Sequence, residues 1–391
     1  MYDVIIIGCG FAGAISARRI AEECNKKVLI IDRRNHIAGN MYEEKDSQGV
    51  IIHKYGPHIS VLNEDKSYEF LSRFTEWTSY EHRVNAEIDG QEVPLPINFT
   101  GIDKLFNEEE AQNIKIKLIT AYGENAQVPI LEMKKSNDEI IRAFAEFVFE
   151  KVFLHYTMKM WDLTPEEIDP SVTARIPVRL SYDDRHFTHR IQVMPRHGFT
   201  KLFENMLDHP NIKVQLGVDS KDILKVDSKE NKVYYNDKEF KGTVIYTGAL
   251  DYLFDYEYGV LPYRSLEFVF EQHDKEYVQD TPVLNWPDDR SATRRTEMKR
   301  LVNQYVKSVT TTITEYPGAY NKDADKWNEP YYPIITEECI NMYNKYKCKL
   351  DGMQNFYLMG RLADYKYYNM EATVLRTLEM SDIIIKDILG K

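Results

Sequence analysis

Cysteine is scarce in this 391-residue chain: Cys9, Cys24, Cys339 and Cys348 lie far apart, with no C-x-x-C pair. Such spacing offers neither a zinc site nor a disulfide framework, and it fits a reducing compartment. No apolar run approaches the roughly 18 residues that read as a membrane helix. The first apolar run, Val4–Ile7, starts too early to leave room for a signal peptide, so a soluble, cytoplasmic protein is expected. Positive charge is also in deficit, 50 Lys and Arg against 62 Asp and Glu, a net −12. Nucleic acid and anionic membranes require a basic surface, so neither is an expected partner; an anionic ligand must be held by a local arginine cluster. Internal repeats and low-complexity linkers are missing as well. What is present is globular composition, 43% apolar and 29% charged. At roughly 150 residues per domain, the length predicts two or three domains and a ligand site between lobes. Tyrosine is in excess, with 27 residues, many in segments that read as site loops, where a stacking face and a hydroxyl come together.

Residues 4–7 read as a buried parallel strand, GCGFAG supplies Gly8, Gly10 and Gly13, and AISARRIAEEC continues with helical spacing. Gly8 permits the tight turn, Gly10 lets backbone approach a pyrophosphate, Gly13 lets helix and strand pack closely, and the helix N-terminus favours phosphate. The next strand, KVLIID, ends at Asp32, 24 residues after Gly8, where an acid meets ribose hydroxyls. The plainer alternative is an ordinary strand–helix turn. The stretch RRNHIAGNMY, with Arg33, Gly39 and Asn40, is similar to the segment that runs along the cofactor in the FAD-binding superfamily. KGTVIYTGALD resembles the strand and Thr-Gly element that returns to the nucleotide-binding sheet. NFYLMGRLADYKYYNM brings Gly360, Arg361, Asn369 and Met370 to a last strand and helix start beside the flavin. Three segments, 1–63, 195–250 and 340–391, are therefore expected to build one FAD domain.

The pattern over 64–165 is mainly helical. SNDEIIRAFAEFVFEKVFLHY opens with a capping-box spacing, Ser136 to Glu139, and places Ile140, Phe144, Phe147 and Val148 on one face as core. KVYYNDKEF predicts a hairpin turned at Asn236-Asp237, and LEFVFE and SVTTTITEY read as strands, with 166–194 and 251–339 forming an antiparallel substrate domain. The expected fold is α/β: a Rossmann-like FAD-binding domain with an inserted helical bundle and an antiparallel β-sheet domain.

Ten ordered blocks then carry a specific resemblance: GCGFAG, RRNHIAGNMY, YGPHI, PLPINFT, YTMKMW, RIPVRLSYDDRHF, YTGALDYLFDY, PYRSLEF, PYYP and GRLADYKYYNM. Through them the chain resembles bacterial UDP-galactopyranose mutases along nearly its whole length. The resemblance implies a six-stranded sheet beside the FAD and helical domains, a nucleoside-diphosphate sugar lying across the flavin, and a homo-oligomer, a dimer. It implies pyranose–furanose interconversion without net redox, through an adduct between the sugar and a flavin that NAD(P)H or another reductant must reduce. Furanose supply for a capsule or other surface polysaccharide follows from the same resemblance.

The resemblance also assigns roles. Arg175 and Arg294 match two arginines that bracket the diphosphate, which a planar guanidinium grips at two oxygens. His58 matches a histidine beside the flavin, Tyr332 and Tyr367 match tyrosines that donate to the phosphates, and Tyr156 matches a ring on the nucleobase. Trp161 and Asn98 match residues near the sugar. Plainer readings stand beside these: a salt bridge to Asp183 or Asp184 for Arg175, the adjoining Arg295 in place of Arg294, a turn histidine for His58, a packed sheet tyrosine for Tyr332. Departures gather in the pocket: Val61 for a histidine near the sugar, Met160 for a glutamine, Val152 for an aromatic at uracil, and Ile191 for a tyrosine. His186 replaces a phosphate-contacting tyrosine, and its neutral ring can still donate. Asn369 replaces an acid. These changes predict a mutase whose sugar differs from galactose: an N-acetylated galactose, a pentose or a heptose. The competing classes are an amine-oxidase-like FAD oxidoreductase and a silent nucleotide-sugar binding protein.

Overall fold

The computed structural model describes residues 2–161 and 177–390. A five-stranded parallel sheet runs in the order Ile212–Leu216, Val28–Asp32, Val4–Ile7, Thr243–Tyr246, Phe356–Leu358. Its strands are continuous apolar runs because both faces are covered. Val4, Ile6, Val28, Ile30 and Ile245 point into one core with the helix Phe11–Cys24, while Ile5, Ile7, Leu29, Ile31 and Val244 point into another. The terminal helix Met370–Leu389 lies against Phe11–Cys24, where Arg19 donates to the Leu378 carbonyl at 2.8 Å and pairs with Asp382 at 2.7 Å. Strands from far apart in the chain thus converge on the glycine turn.

The second sheet has seven strands, one more than the resemblance implies, in the order Tyr332–Pro333, Tyr263–His273, Thr310–Ala319, Arg294–Glu297, Val283–Asn285, Val84–Ile88, Gln91–Leu95. All neighbours are antiparallel except Val283–Asn285 with Val84–Ile88. The hairpin 84–95 comes from the segment expected to be mainly helical; its alternation of Val84, Ala86 and Ile88 buries one face. Within 166–194, expected in the antiparallel domain, the described part pairs elsewhere. Pro177–Arg179 pairs with Gln127–Pro129, and Ile191–Pro195 pairs with Ser60–Leu62 and Trp77–Ser79. The Asn236-Asp237 turn is as expected, both residues at positive φ (49° and 58°), which matches the twist of the flanking strands.

Helices Phe99–Leu105, Glu108–Tyr122 and Glu139–Val148 form the insert. The cap of the last is Asp138, not Ser136: its carboxylate accepts from the backbone of Ile140 and Ile141, while Ser136 only receives the Asp138 N–H. The buried face is correspondingly Ile141, Phe144, Ala145 and Val148, with Ile140 and Phe147 half-buried at its edge. Val152 joins this core, inside a π-helical turn at Phe149–Leu154, and so forms no part of a base pocket. Phe144 is 2% exposed at the centre of the cluster. Phe144→Ala is expected to lower the unfolding free energy by about 3–5 kcal/mol, read by urea titration of intrinsic fluorescence.

Candidate active site

A cavity of about 500 Å³ opens along the carboxyl ends of the parallel strands, where open α/β sheets place their ligands. The glycine turn forms its floor. Gly8, at φ +104°, turns under Thr247, whose hydroxyl donates to the Ile7 carbonyl at 2.7 Å; a Cβ on Gly8 would lie 2.0 Å from that hydroxyl. A Cβ on Gly39 would stand 3.0 Å from the Gly10 Cα, so the two glycines leave bare backbone facing the cavity. The helix Phe11–Cys24 begins here with no side-chain cap and no acid in its first turn, leaving its N–H groups for an anion. These residues fit the pyrophosphate of a dinucleotide. Gly13 does not line the cavity. A Cβ there would meet the Gly8 carbonyl at 1.9 Å, so it serves the close packing of helix on turn.

Asp32 closes one end of the cavity, accepting from the N–H groups of Cys9 (2.8 Å) and Arg34 (2.9 Å). Arg33 and Arg34 both reach Glu329, at 2.8 and 3.0 Å, and Arg34 also donates to Asn40 at 2.9 Å and lies 4.0 Å over the Tyr55 ring. Glu329, Arg34 and Tyr55 were not singled out in the sequence. Glu329 stands three residues before Tyr332, and only the fold pairs it with residues near the N-terminus. Asn369 and Met370 line the opposite wall, Asn369 also capping the terminal helix through Ala372 N.

The seven-stranded sheet contributes Tyr263 and Tyr332 to the cavity wall, and Arg294 stands beyond that wall, outside the cavity-lining residues. Arg294 donates through Nε to Glu315 at 2.7 Å, and Glu315 is buried with only 2% of its side chain exposed. Burial alone would lower the Arg294 pKa; the carboxylate more than offsets it and holds the guanidinium above its ordinary value. Tyr156 and Tyr332 lie within electrostatic reach of Arg294. Arg295, one residue on, faces the opposite side of the sheet, donating to Gln279 at 2.9 Å. Arg361 follows Gly360 (φ +103°) and lies 5.1 Å over the Tyr332 ring, which meets Tyr367 at 5.7 Å; Tyr367 is 59% exposed. His58 lines the cavity beside Pro57 and Val61. Burial, reinforced by His53, Arg361 and Arg294, depresses its pKa to about 3, so its ring is neutral at ordinary pH.

Two sequence expectations change here, those for Asn98 and His186, and two, for Arg175 and Trp161, rest on side chains outside the described structure. Asn98 is fully buried as a helix cap: its oxygen accepts from Gly101 N at 3.0 Å, and its amide donates to the Asp183 carbonyl and Asp184, at 3.1 and 2.7 Å. It therefore holds a turn and leaves no amide hydrogen for a sugar. His186 binds the Leu95 carbonyl through Nδ1 at 2.9 Å. A carbonyl only accepts, so the proton sits on Nδ1 and the neutral ring presents a bare Nε2, an acceptor and not the phosphate donor expected. Arg175 lies outside the described residues, and Trp161 is placed only by its backbone, at the end of the helix His155–Trp161.

With this geometry in hand, comparison with known proteins is decisive. The profile of UDP-galactopyranose mutase matches residues 151–367, and that of an NAD(P)-binding Rossmann-like domain matches 6–74. The dTDP-fucopyranose mutase of Escherichia coli is 34% identical, over 99% of each chain. The chain belongs to the UDP-galactopyranose mutase family. The UDP-galactopyranose mutase of Mycoplasma genitalium is 33% identical over 98% of this chain and 95% of its own. A crystal structure of reduced UDP-galactopyranose mutase covers 100% of this chain and 96% of that one, with a TM-score of 0.67 at 15% identity. Cyclohexylamine oxidase from Brevibacterium oxydans superposes over both full chains with a TM-score of 0.54 at 13% identity, which shows the shared flavoenzyme fold alone. The protein is thus a sugar-nucleotide pyranose mutase by family, with a Rossmann domain of the flavin-binding type.

Buried histidines set a pH limit on this site. The His58 and His82 pKa values are depressed to about 3 and that of His186 to about 4, in each case first by burial. Unfolding returns each to about 6.5, so below that pH the unfolded chain binds protons that the native one does not. Stability is therefore full above about pH 6.5 and declines as pH falls towards 4. His186→Gln is expected to flatten this decline in melting temperature measured against pH.

Proposed function

We propose that the protein interconverts the pyranose and furanose forms of a nucleoside-diphosphate sugar, using FAD that must first be reduced by NAD(P)H or another donor. The observation that carries this reading is the group of Arg361, Tyr332, Tyr367 and His58 lining the cavity, with Arg294, held by Glu315, within electrostatic reach of Tyr332 and His58. When bound, reduced flavin supplies a nucleophilic ring nitrogen to the anomeric carbon. The chain's own residues manage the charge that develops on the departing diphosphate. Arg294 and Arg361 provide fixed positive charge, Tyr332 and Tyr367 provide hydroxyl donors, and Arg175 completes the grip. Keeping the diphosphate within the cage lets it recapture the rearranged sugar, so no step becomes bimolecular. Tyr156 stacks on the base, Trp161 lies near the sugar, and neutral His58 adds no charge beside the cofactor. Gly8, Gly10, Gly39, Asp32, Arg33, Asn40, Gly360, Asn369 and Met370 hold the dinucleotide.

The sugar is selected at Val61. Val61 replaces a hydrogen-bonding histidine with an apolar wall in the cavity, next to Ile59, which suits a methyl better than a hydroxymethyl group. His186, outside the cavity-lining residues, packs its ring edge-on against His82 and Phe187. The Val61 wall agrees with a 6-deoxy sugar such as the fucose named in the Escherichia coli relative. Acetamido, pentose and heptose nucleotides belong in the same panel. The reading carries with it a cytoplasmic homodimer, a discontinuous cofactor domain of 1–63, 195–250 and 340–391, and furanose supply for surface polysaccharide.

The test is chromatography of products after incubating dithionite-reduced enzyme with dTDP-fucopyranose, UDP-galactopyranose and the others. A furanose from at least one is expected; no furanose from any rejects the reading. Peroxide release with net oxidation would mark an oxidoreductase, and binding without turnover a silent binding protein. Arg294→Lys, which loses the fork while keeping a charge, is expected to lower kcat/KM by about 10²-fold or more.

A further inference from the structure

The helix His155–Trp161 carries Tyr156 towards Arg294, and one of its side chains has no part in the chemistry above. Lys159 directs its ammonium into three backbone carbonyls of one loop, those of Trp286 at 2.6 Å, Arg290 at 3.0 Å and Ala292 at 3.0 Å. An ammonium has three donors and no acceptor, so this nest uses its whole hydrogen-bonding capacity. Ala292 is two residues before Arg294, and the loop closes the turn between Val283–Asn285 and the Arg294 strand. One turn earlier on the same helix face, His155 meets Asp289 of that loop at 3.0 Å. From the sheet side, Arg264 donates to the carbonyls of Met160 at 2.8 Å and Lys159 at 3.1 Å, at the carboxyl end of the helix, where a cation is favoured.

We infer that Lys159 is a positioning residue, which bolts the Tyr156 helix to the loop leading into Arg294 and so fixes the spacing between the base-stacking ring and the diphosphate cation. This inference rests on the proposed function for what is bound, and on the carbonyl nest for the bolt itself. The bolt depends on charge, because a neutral amine gives up one of the three donors and the charge assistance of the others. Burial lowers the Lys159 pKa to about 8, against the raising effect of Asp288 and Asp289 and with Arg290 lowering it further. His155 and Arg264 on the neighbouring elements, and Glu87, which receives Trp286 Nε1 at 3.2 Å and Arg290 at 2.9 Å, complete the charged surroundings. The bolt therefore loosens as pH rises through about 8.

Hydrogen exchange and nucleotide binding in the flavin-loaded protein test this together. Lys159→Met is expected to speed amide exchange over residues 155–161 by about tenfold and to weaken binding of UDP and dTDP by about tenfold, with flavin stoichiometry unchanged. In turnover it raises KM much more than it lowers kcat. Lys159→Arg, which keeps its charge at every working pH, restores both and removes the loss of nucleotide affinity above pH 8. Unchanged exchange in Lys159→Met overturns the bolt, whatever the protein's substrate. Faster exchange with unaltered UDP and dTDP affinity overturns the positioning role. A failure of the sugar-nucleotide panel leaves the exchange result intact, so the two failures are separable.

Discussion

The proposed sugar-nucleotide end of this molecule depends on one ion pair, half-buried Arg294 with buried Glu315. A guanidinium withdrawn from water costs several kcal/mol unless a carboxylate faces it in good geometry. Glu315 supplies that partner from the adjacent strand, directly across the ladder from Arg294. The pair uses Nε, and among the described residues no hydrogen bond engages the outer nitrogens of Arg294. The pair also explains why neutral groups surround it: His58, His82 and His186 are all held uncharged by burial and by the nearby arginine. In a protein with a net charge of −12, Arg294 and Arg361 together bring positive charge near His58 and Tyr332.

The cofactor end is built on a different constraint, the distance between backbones. Gly8, Gly13 and Gly39 each stand where a methyl group would collide with backbone or with Thr247. That closeness brings an uncapped helix start to the cavity and lets strands from both ends of the chain share it. Glu329 links the two ends, since it belongs to the connection before the Tyr332 strand yet clamps Arg33 and Arg34. The short connection from Glu329 to Tyr332 thus ties Arg33 and Arg34 to the edge of the seven-stranded sheet.

Much of this was legible in the sequence wherever spacing along the chain encodes geometry. The glycine turn, the acid ending the second strand, the Asn236-Asp237 hairpin and the ten ordered blocks all depend on local pattern. The errors fall where partners are distant. Asn98 sits in a block that resembles a substrate loop, but its amide is taken by Asp183 and Asp184, a pairing no local pattern reveals. Val152 lies on the core face of a helix whose phase is shifted by a π-helical turn, which simple periodicity cannot anticipate. The tautomer of His186 is set by the Leu95 carbonyl across the fold. The reading of Arg294 over the adjoining Arg295 agrees with the pleat, which sends Arg294 to Glu315 and Arg295 to Gln279. The hairpin 84–95 joined the sheet through a parallel pairing that its own residues do not announce.

The central claim is that Glu315 acts only by holding Arg294 in place for the diphosphate. Glu315→Gln keeps the shape and one acceptor while removing the charge. Calorimetric titration of flavin-loaded Glu315→Gln with UDP and dTDP measures this directly. The account predicts affinity weakened by about tenfold or more with flavin content unchanged; affinity equal to that of the natural protein would contradict it.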